Sequence, residues 1–555
     1  MQSICRTALL LAALAPGLVL PSRPAEAQSP PVFGEEVDVR VVNVEAVVTD
    51  KDGQRVPGLK PEDFRLRVDG MEVPVEYFSE VREGNALPAP AASPESSASG
   101  APAEEKVQGL TEGPVGTYYL VFVDDYFSIA QQRNRVLQKM KADVDRLRPE
   151  DRMAIVAYDG GRLVMLSNWS NSREELTRAF DKAAARPTHG LDRVKESRSF
   201  QNDASFADQR VGDNAPLDLS SRSAGLSPVQ INYGETLYRQ IRDDVQAAVG
   251  AMRGFAAPRG RKVLLLLSGG WPFSVRGYVT GGAGMPTHEI PEGDVIYSPL
   301  TRTANLLGYT IYPVELPEPG RSGADAEAIA PASSGFGNVG AQEIEGSLYF
   351  LAQETGGKPL LHGNRELALA QVQEDTRSFY WLGFSPSWQR NDKPHQIKLE
   401  VRRPGLKVRS RTDFLDLSRK AEVSMKVESA LLFGNPPGAV TMPMKVGEPV
   451  RSKRGELEIP ITLGLPVDLM TVLPDDGKYT VQLELRFAAS SVAGNGSEIP
   501  VVPITLSSAK PPTPGKVVRY ETKVKLHGTA DHLVAAVYDP LSGKLATAEA
   551  DLKKP

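Results

Sequence analysis

The residues best suited to chemistry stand together in YYLVFVDDYFSI, residues 118–129. There an apolar run delivers Asp124 and Asp125, and the hydroxyl of Ser128 follows four residues after the first acid. A strand of this kind puts its terminal acids where open parallel sheets bind ligands, beyond the carboxyl ends of the strands. Thr236 in YGETLYRQI offers a second hydroxyl, and a further apolar strand ends in SGGW, Ser268 to Trp271. Carboxylate and hydroxyl oxygens suit a hard cation such as Mg2+ or Mn2+, which keeps some of its water and can take a carboxylate from a partner. Such a set binds; it supplies no nucleophile. Asp125 makes a poor second ligand, because successive side chains at a strand end point to opposite faces.

The elements that must position these residues follow from periodicity. Between residues 115 and 385, strands of near-continuous Val, Leu and Ile alternate with helical segments at 129–147, 172–185, 235–254, 299–308, 342–355 and 365–377. That rhythm predicts an α/β fold, a doubly wound, mostly parallel sheet covered on both faces. Residues 35–80 read as a separate N-terminal β segment, with alternating VDVRVVNVEAVVTD and hairpin turns at KDG and VDG. Residues 81–114, rich in Ala, Pro, Ser and Glu, read as a disordered linker. Residues 421–555 are strand-like almost throughout and predict a β-sandwich domain. The polar stretch 187–233 and the Gly- and Pro-rich stretches 271–297 and 317–340 interrupt the α/β rhythm.

Charge and cysteine use limit the function classes. The 555 residues carry a net charge of −5, which argues against general affinity for nucleic acid. Residues 1–27 combine a short basic start, an apolar run and the small residues Ala-Glu-Ala before Gln28, the pattern of a signal peptide. The only cysteine, Cys5, lies inside that segment. The expectation is therefore an exported protein, periplasmic, secreted or at the cell surface, with no membrane span. Neither His-Glu-x-x-His nor Gly-x-Ser-x-Gly occurs, so zinc hydrolase and serine hydrolase chemistry have no motif to rest on. VRRPGLKVRSR, residues 401–411, is the most basic stretch and reads as a solvated hairpin, or else as a docking patch for acidic glycans or lipid.

VFVDDYFS, GETLYRQI and VLLLLSGG together resemble the von Willebrand factor type A fold, which is Rossmann-like. VTDKDGQRVPGLKPEDFRLRVDG and FYWLGFSP resemble the longer VWFA-related domain of the acidobacterial type, so the resemblance spans about residues 37–413 and a domain at 115–415. It implies a metal-ion-dependent adhesion site of the form Asp-x-Ser-x-Ser, a Thr and a later Asp. Asp124, Ser128 and Thr236 match as metal residues, whereas Tyr126 stands in place of the middle Ser and Gly269 in place of the closing Asp. The site is degenerate, which leaves two readings open. Either Asp124 is a buried acid held by backbone N–H groups and Ser128, or a weak ion is completed by a partner. The implied function is a non-catalytic binding protein that recognises a protein or matrix partner through Asp125, Tyr126, Ser268, Gly269 and Trp271 around that site. The alternative is a metal-independent structural module of a bacterial envelope complex.

Overall fold

In the computed structural model of the chain, the apolar run ahead of Asp124 is the strand Thr117–Asp124, buried on both faces. The structure describes residues 41–552 except 88–112, 198, 201–227, 257–259, 281–289, 317–335, 434–439, 452–456, 476, 491–500 and 527–531. The expected signal peptide, most of the expected linker and parts of the three interrupting stretches lie outside the described residues.

Thr117–Asp124 is the middle of five strands, in the order Tyr309–Glu315, Arg261–Ser268, Thr117–Asp124, Arg152–Tyr158, Leu163–Ser170. The first four run parallel and the fifth is antiparallel. Alternation sorts the side chains. Leu120, Phe122, Val156 and Leu264 face the helices Pro228–Gly254 and Gly293–Leu307. Tyr119, Val121, Val123 and Ile155 face Ala130–Asp143, Arg173–Ala185 and Ala368–Thr376. The helix at 173 starts on Ser172, whose side chain accepts from the Glu175 N–H, with Glu174 and Glu175 in the first turn.

The expected doubly wound, mostly parallel α/β fold is corrected by the rest of the chain. Its architecture is mixed, with five sheets among the described residues, several of them small, and mostly antiparallel pairing. Parallel pairing occurs in the five-stranded sheet and in one short contact between Val440–Thr441 and Leu545–Asp551. The cause is that most strands bury one face only. FRLRV at 64–68 and LEIPITLGLP at 457–466 alternate strictly between buried and half-buried, the pattern of antiparallel sheets.

The N-terminal strands are not a segment apart. Val42–Thr49 pairs with Phe379–Phe384 and with Lys407–Arg409, and Phe64–Val68 pairs with Pro394–Val401. Residues before and after the parallel sheet thus share one core, built on Val44, Leu66, Tyr380 and Leu399. The two sheets of residues 440–552 share another, in which Ile459, Ile461 and Leu463 meet Leu483, Leu485 and Val537. Arg419–Phe433, expected to be strand-like at least from residue 421, is a helix. Its Val423, Val427 and Ala430 are buried at helical spacing. It packs on Pro228–Gly254 and on the strand His532–Tyr538, and residues from Val41 onward form one compact unit.

The basic stretch divides: Arg402, Arg403 and Lys407 are exposed, as a solvated hairpin requires, whereas Arg409 and Arg411 are internal staples. Arg411 donates to the backbone carbonyls of Asn43 and Asn305. Arg403 holds Asp63 through two bonds of 2.7 and 2.8 Å. Arg409 Nη2 lies 2.7 Å from Asp375 Oδ2, Arg55 Nη2 lies 2.5 Å from Oδ1, and the Tyr312 hydroxyl donates to Oδ2 at 2.6 Å. One carboxylate therefore joins the antiparallel β layer to a strand of the parallel sheet. Burial works against its charge, but Arg409 and Arg55, with the Tyr312 hydroxyl, outweigh it and hold the carboxyl well below the usual range.

Asp375→Asn is expected to cost about 2 kcal/mol at neutral pH, below the full value of a buried pair because both arginines keep solvent contact. A depressed folded-state pKa gives stability that is present above the unfolded value of roughly 4 and is lost as pH falls below it. Denaturant melts of wild type and variant should therefore converge on acidification. A gap that persists in acid would contradict this account.

Candidate functional site

Asp124 has even parity with Leu120 and Phe122, so it faces the side covered by the long helix Pro228–Gly254. Its Oδ1 accepts from the N–H groups of Tyr126 and Phe127, both at 2.9 Å, which closes the turn after the strand. Its Oδ2 accepts from Ser268 Oγ at 2.5 Å, a bond from the end of the neighbouring parallel strand. The residue is fully buried. Burial pushes its carboxyl up to about 6, although the Ser268, Phe127 and Tyr126 bonds favour the charged form.

Asp125 points to the opposite face, as alternation requires. There it is fully buried between two arginines, paired with Arg133 Nη1 and lying 2.6 Å from Arg186 Nε. Tyr126 is half-buried, with the Arg193 guanidinium 4.7 Å from its ring centre. Ser128 is fully buried, and its Oγ has no hydrogen-bond partner.

The expected rim does not form. Asp124, Asp125, Ser128, Ser268 and Trp271 are all buried, and Gly269 with them. Trp271 stacks on Tyr297 with ring centres 6.0 Å apart. Its carbonyl accepts from Ser347 Oγ, so it is a core residue rather than a contact residue. Thr236 is half-buried on the long helix, where its hydroxyl accepts from Arg239 at 3.4 Å. The structure thus unites Asp124 with Ser268 and keeps Ser128 on the same turn. Of the two open readings, the backbone N–H groups expected to hold Asp124 are present, but the Ser128 bond is not. Gly269 has a packing reason: a Cβ there would overlap the carbonyl oxygen of Phe127. A residue with a side chain does not fit at that position, so the loop excludes the closing acid of the adhesion motif.

Two acidic groups escaped the sequence reading. Asp244 is fully buried on the long helix, and neither of its carboxylate oxygens has a partner. Burial, then the charge of Asp124, pushes its carboxyl well above the usual range. The available signal was its position in IRDDVQAAV, on the same helical face as Ile241, Val245 and Ala248. Glu315 ends the strand Tyr309–Glu315 much as Asp124 ends its own, and with Glu345 and His362 it makes a group whose ligand atoms lie within 4.8 Å of one another. Glu315 already accepts from the His362 N–H at 3.2 Å and lies 3.6 Å from Arg365, which accounts for its burial.

No protein-family model matches the chain, and no curated protein does. Among solved structures it is similar to the TFIIH p34 N-terminal domain, at 11% identity over 47% of this chain and 96% of that one, with a TM-score of 0.19. It is also similar to a selenomethionine-labelled β-glucosidase from Kluyveromyces marxianus, at 12% identity over 56% of this chain and 34% of that one, with a TM-score of 0.14. Likenesses this weak carry no argument about fold or function.

Gly269→Asp, which would restore the acid of the adhesion motif, should destabilise the protein by about 2 kcal/mol or more through overpacking. Urea melts measure this directly. An unchanged midpoint would show that the Phe127 loop yields and that the position can hold a ligand.

Proposed function

We propose that this chain is an exported, non-catalytic binding protein that serves as a structural module of an envelope complex. Its partner contacts lie on exposed surface, away from the strand-end acids. The reading is carried by one observation: Asp124, the acid that an adhesion mechanism would present to a partner, is fully buried and bonded on both oxygens to the protein itself. A partner carboxylate that completed an ion at Asp124 would have to displace the Ser268 bond and part the helix layer above it. Trp271, the aromatic expected at the same rim, is in the core. Export rests on the pattern of residues 1–27. Among the described residues no helix is long and apolar enough to cross a membrane. The motifs VFVDDYFS and FYWLGFSP support a relation to VWFA-related domains, and the burial of Asp124 supports the loss of metal-centred recognition.

Affinity capture from envelope extracts tests the reading, with a chelator added after the complex has formed. A scaffold contact should survive the chelator while circular dichroism shows the protein still folded. Release of the partner from an intact fold would restore the adhesion mechanism, and capture of no specific partner would overturn the scaffold role. A chelator that lowers the melting temperature without releasing the partner reports on the interior of the protein alone.

A further inference from the structure

The strand Tyr309–Glu315 forms one edge of the five-stranded sheet and runs parallel to its neighbour, with Glu315 opposite Ser268. Glu315 therefore stands at the carboxyl end of a parallel strand, where open sheets bind ligands. The chain that follows the helix Phe336–Glu354 returns beside it. Leu360 donates to the Pro313 carbonyl and accepts from the Glu315 N–H, and two residues later the His362 N–H donates to the Glu315 carboxylate at 3.2 Å. His362 is held in the left-handed region, at φ 53°, which most side chains disfavour. Glu345, half-buried on the helix, reaches the same place. Three elements thus bring two carboxylates and an imidazole together, and one ligand atom from each lies within 4.8 Å of the other two.

The separations inside this group are too long for hydrogen bonds and close to those of groups that share an ion. His362 Nδ1 lies 3.8 Å from Glu315 Oε2, and its Nε2 lies 3.9 Å from Glu345 Oε1, both beyond hydrogen-bond reach. Ligand atoms about 2.1 Å from a tetrahedral Zn2+ stand roughly 3.4 Å from one another. The imidazole is exposed, so a small turn of the ring brings one nitrogen to that spacing. Arg365, 3.6 Å from Glu315 Oε2, meets part of the charge. Two carboxylates and one guanidinium still leave a net negative charge for a cation to meet. One nitrogen and two carboxylate oxygens suit a borderline first-row ion such as Zn2+ better than Mg2+ or Ca2+, which take oxygen ligands.

We infer that Glu315, Glu345 and His362 form a transition-metal site that takes Zn2+ and clips the strand end, the helix and the turn at His362 together. Three protein ligands leave the fourth position to water. The set shares no residue with the adhesion motif, and the ion stabilises the fold whether or not the chain serves as a scaffold.

The test uses the full chain, stripped with chelator, dialysed and titrated with ZnCl2 in a calorimeter. One site should appear, with no counterpart for MgCl2. His362→Gly removes the imidazole and suits the left-handed φ. It should weaken the site at least tenfold while the metal-free melting temperature changes little, and Glu345→Gln should do the same. Co2+ in place of Zn2+ should give visible absorption in the wild type that His362→Gly loses. Ser128→Ala, at the adhesion motif, should bind as the wild type does. So should His532→Ala, which removes another imidazole beside two carboxylates, Asp551 at 3.0 Å and Glu549 at 3.8 Å. A wild type that binds no Zn2+ overturns the assignment, as does wild-type affinity in His362→Gly or Glu345→Gln. Loss of binding in Ser128→Ala or His532→Ala would place the ion elsewhere and overturn it equally.

Discussion

A carboxylate taken out of water must be compensated where it stands, and this constraint organises the molecule. The cost of leaving such a charge bare is several kcal/mol, comparable with the net stability of a domain. At Asp125 the compensation comes from Arg133 and Arg186, which lie on the first helix after the central strand and just past the end of the second. Arg133 also donates to the carbonyls of Ala184 and Arg186, so one guanidinium fixes the helix pair to the strand end. At Asp375 it comes from Arg55 and Arg409, far apart in sequence, with Tyr312 from the parallel sheet. Each acid draws partners from outside its own layer, so charge compensation and layer assembly are one event.

The same constraint marks how far the sequence could be read. The strand ending at Asp124 was legible because the apolar run Tyr118–Val123 leads straight into a charge, and the opposed directions of Asp124 and Asp125 followed from pleat geometry. The cap of the helix at Arg173 was legible because capping is local. Sheet membership was not. FYWLGF at 379–384 reads as a strand in isolation, but its neighbours Val42–Thr49 and Tyr77–Arg82 lie some three hundred residues away, and nothing local specifies that register. Without those partners the parallel core looks like the whole fold, and the antiparallel layers look like appendages. The helix Arg419–Phe433 was missed for a related reason. Its buried positions Val423, Val427 and Ala430 are few, and they gain meaning only from the helix and strand they meet.

The candidate site divides along the same line. Asp124 and Ser268 meet because they end adjacent parallel strands, a consequence of topology that the motif already implied. Trp271 was assigned to a rim by its place after SGG, yet the chain turns inward there and the ring stacks on Tyr297. Arg409 and Arg411 looked solvated by alternation, but the side of the hairpin that would face water in isolation faces Asp375 and the Asn305 backbone instead. Asp244 shows the converse error. A charged residue between Ile241 and Val245 reads as a break in an apolar stripe, whereas in three dimensions it is fully buried on the helix face that packs on the sheet.

That last arrangement bears on why a binding motif can persist in outline while its exposed use is lost. A strand-end acid beneath a helix can be kept from the solvent only if its charge is met from within. Backbone N–H groups and Ser268 go part of the way, since they satisfy both oxygens of Asp124 without supplying a positive charge. Burial pushes the Asp244 carboxyl well above the usual range and the charge of Arg193 offsets this only in part, unlike the direct pairing of Asp125 with Arg133 and Arg186. The two faces of the central strand therefore solve one electrostatic problem in different ways. On one face guanidinium groups do it and tie helices to the strand. On the other, the turn N–H groups and Ser268 hold Asp124, and burial favours the neutral form of both acids.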